Sequence, residues 1–481
     1  MIKEPIGYFA KTKPFTHQEC TVNASFTRPY YGFLWEMGTG KSKAIIDTFG
    51  RLFCSKEIDG VILVGDKGNY RNWVKEVAIH LPDYITRRVA VYSSSGNKAD
   101  ERALDSIMQA KDDCLDILVV NIESFVSEKS VDRLESFIRS HYVLMCIDEA
   151  TSIKNPKAQR TKQAIKLGQL VDYRRIATGT PITQSPMDVF AMCQFLKSGV
   201  LGFANFTAFR AYYAQMIRMN LGPGRPSFDK IVGFRNLDQL TQSLEQFCSR
   251  ITKEECLDLP DKIYQTVEVE LTDIQRRYYD QLKNQALIQL EQGLLTSTSA
   301  LTTLMKLQQI VCGHVKLDDG TVVDLANNRI DTLLSLIEEL GDKKVVIWCN
   351  FQRDVELIYR ALQKLGRRPV TYYGPNDDNT RTKSLSDFVD GDATDFVGTT
   401  STGGKGITLT VASYEIYYSN GYSLANRLQS EDRCHRIGQK NNVTIIDLVA
   451  IKTCDEKILE SHKMKKDLAN EVLGNMRQLL S

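Results

Sequence analysis

The sequence predicts an α/β protein in which two mainly parallel sheets are each flanked by helices. Short apolar runs rich in β-branched residues recur along the chain, and longer helix-like segments lie between them. Because these runs do not alternate with polar residues, they are typical of strands buried on both faces of a parallel sheet. The runs are VILVG (61–65), ILVV (117–120), VLMCI (143–147), VVIW (345–348), FVGTT (396–400), EIYYS (415–419) and VTIIDLVA (443–450).

The runs fall into two groups, one before about residue 190 and one after about residue 340, and this grouping predicts two separate sheets. Strand–helix alternation within each group predicts right-handed crossovers. The stretch between the groups is helix-rich and contains a Gly/Pro/Arg loop, LGPGRPSF (221–228). The last segment predicts an amphipathic helix, because apolar residues recur there at four-residue spacing: Met464, Leu468, Val472, Met476 and Leu480.

Composition limits the class of protein and its partners. The chain has 481 residues, enough for two domains, and 61 basic residues nearly balance 59 acidic ones. A nucleic-acid ligand would therefore need a local basic surface. Eleven cysteines without a CxxC pair favour a reducing compartment over a disulfide framework. The N-terminus lacks the apolar core of a signal peptide, and no apolar stretch could span a bilayer, so we expect a soluble intracellular protein without a membrane partner.

A candidate phosphate-binding loop follows the apolar run YYGFLW, in the segment EMGTGKSKAII (36–46). Glycines there allow a tight turn that aims backbone N–H groups at phosphates, with a helix N-terminus behind them. Lys41 would reach the terminal phosphates, and the Ser42 hydroxyl would coordinate Mg²⁺. A strict P-loop has Gly where this chain has Trp35, but the flanking strand and helix still favour a nucleotide site. The predicted nucleotide-binding residues of the loop are Gly38, Thr39, Gly40, Lys41 and Ser42.

An acidic pair at the end of an apolar strand is the second signal, in VLMCIDEATSIKNPKAQRTK (143–162). Ligands of α/β proteins bind at the carboxyl edge of the sheet, where Asp148 and Glu149 would stand. Asp148 would hold Mg²⁺, and Glu149 would polarise the attacking water as general base. A solvated acidic turn would be the simpler interpretation of an isolated Asp-Glu. The upstream P-loop and the fully apolar strand argue against it.

The segment DEATSIKNPKAQRTK closely resembles the acidic box of the SWI/SNF-type ATPases of helicase superfamily 2, with Thr151 where many members have His. The resemblance continues in order along nearly the whole chain. It includes KPFTHQ (13–18), VILVGDKGNYRNWVKEV (61–77), IATGTPI (176–182), SRITKEECLDLPDK (249–262), KVVIWCNFQRDVELIYRAL (344–362) and TTSTGGKGITLT (399–410). The family implies that Gln18 reads adenine and that 249–262 is a hinge. Lys405 departs from the usual apolar residue.

The last resembling motif, RLQSEDRCHRIGQKNNVTI (427–445), matches the family almost residue for residue. Gln429, Arg433 and Arg436 lie four and three positions apart, which predicts one face of a helix. In the family the two arginines reach across a cleft to the γ-phosphate as charge-stabilising fingers, and Gln429 belongs to the nucleotide site. A solvated basic helix face would be the default interpretation of Arg-x-x-Arg alone. The other motifs in register argue against that default.

The resemblance implies two RecA-like lobes, with lobe 1 at residues 1–255, lobe 2 at residues 256–455 and a C-terminal brace helix at residues 456–481. The implied catalytic residues are Lys41, Asp148, Glu149, Arg433 and Arg436, with ATP and Mg²⁺ as ligands. The expected activity is DNA-dependent ATP hydrolysis that closes the lobes and moves the chain along double-stranded DNA. The expected target is a nucleoprotein or a polymerase. A monomer is expected, in the cytoplasm of a bacterium or a virus-infected cell, or in the nucleus if the source is eukaryotic.

DNA contacts are expected mostly at phosphates and hence independent of sequence. The candidates follow strands in the resembling motifs: Lys67, Asn72, Asn350, Gln352, Thr400 and Ser401. One alternative is a strand-separating or strand-annealing helicase, which would need a pin or wedge that the sequence does not obviously contain. The other is a non-hydrolysing DNA-binding scaffold, which would have no reason to keep all five catalytic residues.

Overall fold

A computed structural model describes residues 7–66, 68, 70–93, 98–109, 113–219, 227–292, 297–404 and 406–474 of the chain. The chain divides into two compact units. Unit 1 comprises the chain up to Met219, residues Ser227–Asp258 and the chain from Lys465 onward, and unit 2 comprises Leu259–Met464. The predicted functional domains, with boundaries after residues 255 and 455, stay a prediction.

Unit 1 contains the first nine strands and ten helices of the described chain. The strands are β1 (Tyr30–Phe33), β2 (Gly60–Gly65), β3 (Arg87–Tyr92), β4 (Leu115–Asn121), β5 (Val143–Asp148), β6 (Tyr173–Ala177), β7 (Ala214–Met219), β8 (Phe228–Phe234) and β9 (Cys248–Ser249). The helices are α1 (Thr16–Ser25), α2 (Lys41–Cys54), α3 (Asn72–His80), α4 (Lys98–Ser106), α5 (Glu128–Ser140), α6 (Gln159–Gly168), α7 (Val189–Leu196), α8 (Phe206–Tyr213), α9 (Leu237–Glu245) and α10 (Lys253–Cys256).

Seven strands of unit 1 form one parallel sheet in the order β3-β4-β2-β5-β6-β1-β9. Both faces of this sheet are covered. In the central strand β2, Ile62 and Val64 pack into one apolar core, while Val61 and Leu63 pack into the other. Burial on both faces explains why the strand reads as an unbroken apolar run.

A two-stranded antiparallel hairpin, β7–β8, stands apart from this sheet. Among its side chains, Ile217 and Val232 are exposed apolar residues, and Arg218 and Lys230 are exposed cations. The residues that join the two strands, 220–226, lie outside the described part of the chain. Other side chains of the hairpin pack against the core of unit 1. The expectation that no pin or wedge is obvious in this chain stays a prediction.

Unit 2 contains the remaining strands and most of the remaining helices. The strands are β10 (Lys262–Val269), β11 (His314–Lys316), β12 (Val322–Asp324), β13 (Val345–Cys349), β14 (Pro369–Tyr372), β15 (Asp395–Thr399), β16 (Tyr414–Tyr417) and β17 (Val443–Ala450). The helices are α11 (Asp273–Glu291), α12 (Ser297–Cys312), α13 (Asn328–Leu340), α14 (Gln352–Lys364), α15 (Asp378–Val389), α16 (Thr400–Gly403) and α17 (Leu424–Cys434); α18 (Cys454–Gly474) begins in unit 2 and ends in unit 1.

The sheet of unit 2 is also parallel, in the order β10-β17-β16-β13-β15-β14. Its two faces carry separate apolar cores, with Ile347 in one and Trp348 in the other. The helices α11 and α12 add a small third cluster around Tyr279 and Ile310. Two helix-flanked parallel sheets confirm the predicted fold class.

The C-terminal helix α18 only partly follows the predicted apolar face. Leu468 packs against the core of unit 1, as the four-residue spacing predicts. Met464 is 64% exposed, so its assignment to that face is wrong. Met476 and Leu480 lie outside the described residues. In the part of the chain that the structure describes, no helix combines the length and the apolar composition needed to cross a bilayer.

Candidate active site

The P-loop joins β1 to α2 at the carboxyl edge of the first sheet. Gly38 and Gly40 have φ of 80° and 84°, a left-handed conformation that favours glycine. Helix α2 begins at Lys41, so its unpaired N–H groups face the loop. The Lys41 ammonium donates to the carbonyls of Trp35 at 2.9 Å and Glu36 at 3.0 Å. The loop therefore has the backbone shape that the sequence predicts for phosphate binding.

Two side chains of α1 donate hydrogen bonds to backbone carbonyls of the P-loop. Gln18 donates from Nε2 to the Gly40 carbonyl at 2.9 Å, while its Oε1 accepts from the Phe15 amide at 2.8 Å. His17 donates from Nε2 to the Thr39 carbonyl at 2.8 Å. Gln18 is buried, and both ends of its amide bond the backbone. Its predicted role as the residue that reads adenine stays a prediction.

The position of the Trp35 side chain shows how this P-loop tolerates a large residue in place of the usual glycine. Its indole is fully buried, contacts Phe33 edge-on at 5.2 Å, and donates from Nε1 to the Ser249 hydroxyl at 2.8 Å. The side chain lies in the core rather than over the loop. The large residue therefore leaves the turn itself unobstructed.

The acidic pair ends β5 at the same edge of the sheet. Burial and then the neighbouring Glu149 carboxylate raise the pKa of Asp148 to about 7, while the Lys41 ammonium lowers it. The fold thus brings Lys41 and Asp148 close enough to interact electrostatically, although they lie far apart in the chain. Glu149 has a left-handed φ of 48° and accepts from the Thr178 hydroxyl at 3.3 Å. Such strain in a non-glycine residue is typical of functional sites.

Two further residues of unit 1 adjoin these groups, and the sequence interpretation singled out neither. Arg250 donates to Glu36 Oε1 at 3.0 Å and to the Leu34 carbonyl at 2.7 Å. Thr180 Oγ1 is buried without a hydrogen-bond partner among the described residues. Both lie inside motifs that the resemblance identified. Their contacts could not be read from the sequence, because their neighbours are distant in the chain.

In unit 2, the predicted motif residues converge on one backbone carbonyl. Arg433 donates to the Ile407 carbonyl at 3.1 Å, and Arg436 donates to the same carbonyl at 3.4 Å. Gln429 and Arg433 are buried on α17, and Arg433 Nε donates to the Gln429 carbonyl at 2.8 Å. The helix ends at Cys434, so the expectation of one helical face is wrong for Arg436. That residue follows the helix in a turn.

The candidate DNA contacts lie at strand ends, as expected, but differ in exposure. Asn350 follows β13 and is half-buried, whereas Gln352 begins α14 and is exposed. Thr400 is buried at the start of α16, and its neighbour Ser401 is exposed. Asn72 begins α3 and is half-buried; Lys67 and Lys405 lie outside the described residues. The structure therefore favours Gln352 and Ser401 as surface candidates.

The fold and the site define a P-loop protein with two parallel-sheet units, the class to which superfamily 2 helicases belong. Residues 33–316 match the SNF2-related domain, and residues 328–438 match the helicase conserved C-terminal domain. The chain belongs to the SNF2-related family, which confirms the predicted SWI/SNF-type resemblance. The predicted enzyme class, a DNA-dependent ATPase of superfamily 2, agrees with this family.

Curated relatives cover most of this chain. Protein CHROMATIN REMODELING 24 of Arabidopsis thaliana is 26% identical, over 92% of this chain and 44% of that protein. An uncharacterized ATP-dependent helicase of Mycoplasma pneumoniae is 24% identical, over 91% of this chain and 40% of that protein. The human DNA repair and recombination protein RAD54-like is 27% identical, over 91% of this chain and 62% of that protein. The chain thus spans less than two thirds of these relatives.

A solved structure is similar along the whole chain. It is the Sulfolobus solfataricus SWI2/SNF2 ATPase core in complex with dsDNA, with 22% sequence identity and a TM-score of 0.42. The match covers 99% of this chain and 95% of that chain.

Proposed function

We propose that the chain is a DNA-dependent ATPase that moves along double-stranded DNA and remodels a nucleoprotein or polymerase target. The observation that carries the proposal is the meeting of Lys41 with Asp148 and Glu149 at one sheet edge, beside a P-loop with two left-handed glycines. This arrangement combines phosphate binding with carboxylates that can handle Mg²⁺ and water. The family and the names of the relatives, which concern chromatin and DNA repair, support DNA as the polymer.

The donor set fits Mg²⁺. The Ser42 hydroxyl and the Asp148 carboxylate are hard oxygen ligands, and Mg²⁺ in nucleotide sites takes one or two carboxylates besides phosphates and waters. Burial and Glu149 raise the pKa of Asp148 to about 7, so a nearby cation would be needed to favour its ionised form. When bound, Mg²⁺ would neutralise charge on the phosphates. Ser42 and Asp148 would hold it, and Lys41 would contact the terminal phosphates.

The remaining predicted residues would act on water and on charge. Glu149 would accept the proton of the attacking water, oriented by its hydrogen bond from Thr178. Arg433 and Arg436 would stabilise charge that develops on the transferred phosphoryl group. Gln18 would read adenine, and Gln429 would belong to the nucleotide site. We propose that the chain acts as a monomer.

The duplex would be bound through its phosphates. Exposed polar residues at strand ends, such as Gln352 and Ser401, suit backbone contacts that ignore base sequence. Binding that releases counterions from DNA weakens steeply as salt rises. Repeated changes between nucleotide states would then convert phosphate contacts into steps along the duplex.

The test is the rate of ATP hydrolysis with duplex DNA, single-stranded DNA or RNA, in the parent chain and in Glu149→Gln. Duplex DNA should stimulate the parent most and RNA least, and DNA affinity should fall steeply with salt. Glu149→Gln should retain nucleotide binding yet lose most turnover, because it removes the base but no phosphate contact. Equal stimulation by RNA would count against duplex tracking. A Glu149→Gln variant with parental turnover would exclude this residue as the base.

Strand separation is kept as a second candidate because of the β7–β8 hairpin. Exposed Ile217 and Val232 on the hairpin could stack against an opened base pair, and exposed Arg218 and Lys230 could contact phosphates. A strand-displacement assay on a forked duplex separates the two candidates. ATP-dependent release of a strand would favour the helicase, and ATP-dependent displacement of a bound protein without strand release would favour the translocase.

A further inference from the structure

The chain passes from unit 1 to unit 2 through a segment that we call the connector, residues 250–264. Asp258 is the last residue of unit 1 before this passage, and Leu259 is the first of unit 2. Each end of the connector bonds, within its own unit, an element that carries predicted ATP-site residues. The connector also overlaps the family's hinge, but that resemblance assigns no role to its individual side chains.

At its first end, the connector grips the P-loop. The Arg250 guanidinium is 11% exposed and donates to Glu36 Oε1 at 3.0 Å and to the Leu34 carbonyl at 2.7 Å. The Lys253 amide donates to the other Glu36 oxygen at 3.0 Å. The Glu36 carbonyl accepts from Lys41 at 3.0 Å. Both carboxylate oxygens of a P-loop residue are therefore fixed by the connector, next to the loop's lysine.

The second end of the connector donates hydrogen bonds to the helix α17. The buried Glu431 carboxylate of α17 accepts from Lys262 at 3.0 Å, Tyr264 at 2.8 Å and Arg427 at 2.8 Å. Against the effect of burial, Lys262 and then Arg427 hold the pKa of Glu431 well below its usual range. This carboxylate is therefore ionised and needs its donors.

A further bond joins the connector to the turn that follows α17. His435 donates from Nε2 to the Pro260 carbonyl at 2.7 Å. His435 immediately follows α17 and directly precedes Arg436. The connector therefore contacts both the helix that carries Gln429 and Arg433 and the turn that carries Arg436.

We propose that Arg250 and Lys262 are positioning residues, with Arg250 setting the P-loop for nucleotide binding and Lys262 setting α17 and its turn for the arginines. This inference rests on the proposed function of those elements. A purely structural role would make the two residues equivalent, because each would only stabilise its own unit. A positioning role makes them different, because the P-loop contacts ground-state phosphates while the arginines act in the transition state.

The test measures ATP affinity and kcat of DNA-stimulated hydrolysis in Arg250→Ala and Lys262→Met. Arg250→Ala should weaken ATP binding by about tenfold while kcat at saturating ATP changes far less, since one charge-assisted anchor of the loop is lost. Lys262→Met should lower kcat by about tenfold with ATP affinity nearly unchanged. Equal effects of the two substitutions on affinity and on kcat would overturn the inference.

Controls separate positioning from loss of folding. Lys343→Met is the control for Lys262→Met, because Lys343 is another lysine of unit 2 whose ammonium donates a side-chain hydrogen bond, to the Tyr414 hydroxyl at 2.9 Å rather than to α17. It should leave kcat unchanged. Lys262→Arg keeps a cation for Glu431 and should restore most of the kcat lost in Lys262→Met. If Lys262→Met does not fold, Tyr264→Phe removes only one hydroxyl donor to Glu431 and should still lower kcat.

A double variant distinguishes failure of this inference from failure of the proposed function. Lys262→Met should cost less kcat in an Arg436→Ala background than in the parent, because its effect passes through the arginines. If Lys262→Met lowers kcat by the same factor in the Arg436→Ala background as in the parent, this inference is overturned while the proposed function stands. If Arg436→Ala itself hydrolyses ATP at the parental rate, the proposed role of the arginines fails instead.

Discussion

At the scale of single residues, Gly40 shows how the P-loop depends on the absence of a side chain. Its φ of 84° disfavours other residues, and an added Cβ would overlap the Gln18 amide that supports the loop. Gly366 offers a matched control, because its φ is 80° and an added Cβ would meet no atom within 4 Å. The two positions therefore separate backbone strain from the Gln18 contact.

We predict that Gly40→Ala lowers ATP affinity by more than about tenfold, because both the turn and its Gln18 support must shift. Gly366→Ala should lower the free energy of unfolding by roughly 1 kcal/mol without changing ATP affinity. Nucleotide titration and thermal unfolding of both variants measure these effects. Unchanged ATP affinity in Gly40→Ala would remove this loop from the nucleotide site.

Glu415 illustrates a buried carboxyl whose protonation should control stability. It lies fully buried in β16 and accepts from Trp348 Nε1 at 2.8 Å. Burial raises its pKa to about 8, with a smaller contribution from Glu431 in the same direction. The folded chain therefore holds this proton at neutral pH, while the unfolded chain releases it above the ordinary glutamate value.

Because the folded-state pKa is raised, the stabilisation from Glu415 is complete below the unfolded pKa and is lost as pH rises through about 8. Glu415→Gln keeps a neutral side chain at every pH and should flatten this dependence. Relative to the parent, the free energy of unfolding of this variant should rise by up to about 1.4 kcal/mol per pH unit between pH 5 and pH 8. Its Tm relative to the parent should therefore be higher at pH 8 than at pH 5. Parallel Tm–pH curves would show that Glu415 does not titrate.

At the scale of secondary-structure elements, most of the fully apolar inner strands were predictable, whereas the edge strand β10 and the inner strand β6 were not. The apolar runs at 61–65 and 143–147 lie inside β2 and β5, because burial on both faces leaves only apolar residues. The edge strand β10 was missed because most of its side chains are exposed. β6 was missed because of Arg175, which is fully buried and donates to the carbonyls of Ser25 and Phe26. A charge satisfied by backbone carbonyls cannot be recognised in a sequence.

The end of α17 shows a different limit of pattern analysis. Residue spacing correctly placed Gln429 and Arg433 on a helix, but spacing cannot say where a helix stops. The chain leaves helical geometry at His435, whose φ and ψ are −96° and 78°. Arg436 still reaches the Ile407 carbonyl that Arg433 bonds. Tertiary contacts thus restore the proximity that the helical periodicity was expected to provide.

At the scale of the whole molecule, the residues proposed for ATP chemistry are divided between the two units. Lys41 and Asp148 lie in unit 1, whereas Arg433 and Arg436 lie in unit 2. The motifs made these residues predictable, because each motif is local in the chain. The supporting contacts of Arg250 with Leu34 and Glu36 were not predictable, because they join segments that are distant in the sequence. The sequence therefore predicted the motif residues, but not the tertiary contacts that support them.

The division between units gives the most demanding prediction. Arg436 and Lys41 are far apart in the sequence and belong to different units. An effect of Arg436→Ala on hydrolysis would therefore require both units to contact the same nucleotide. We expect Arg436→Ala to cut DNA-stimulated turnover by ~10²-fold or more while ATP affinity and DNA binding change far less, because a charge-stabilising finger acts in the transition state. Arg381→Ala is the matched control, since Arg381 also donates to backbone carbonyls of unit 2, those of Tyr373 and Gly374. It should leave turnover at the parental rate. Parental turnover in Arg436→Ala would exclude Arg436 as a charge-stabilising finger and would remove the support for hydrolysis that depends on both units.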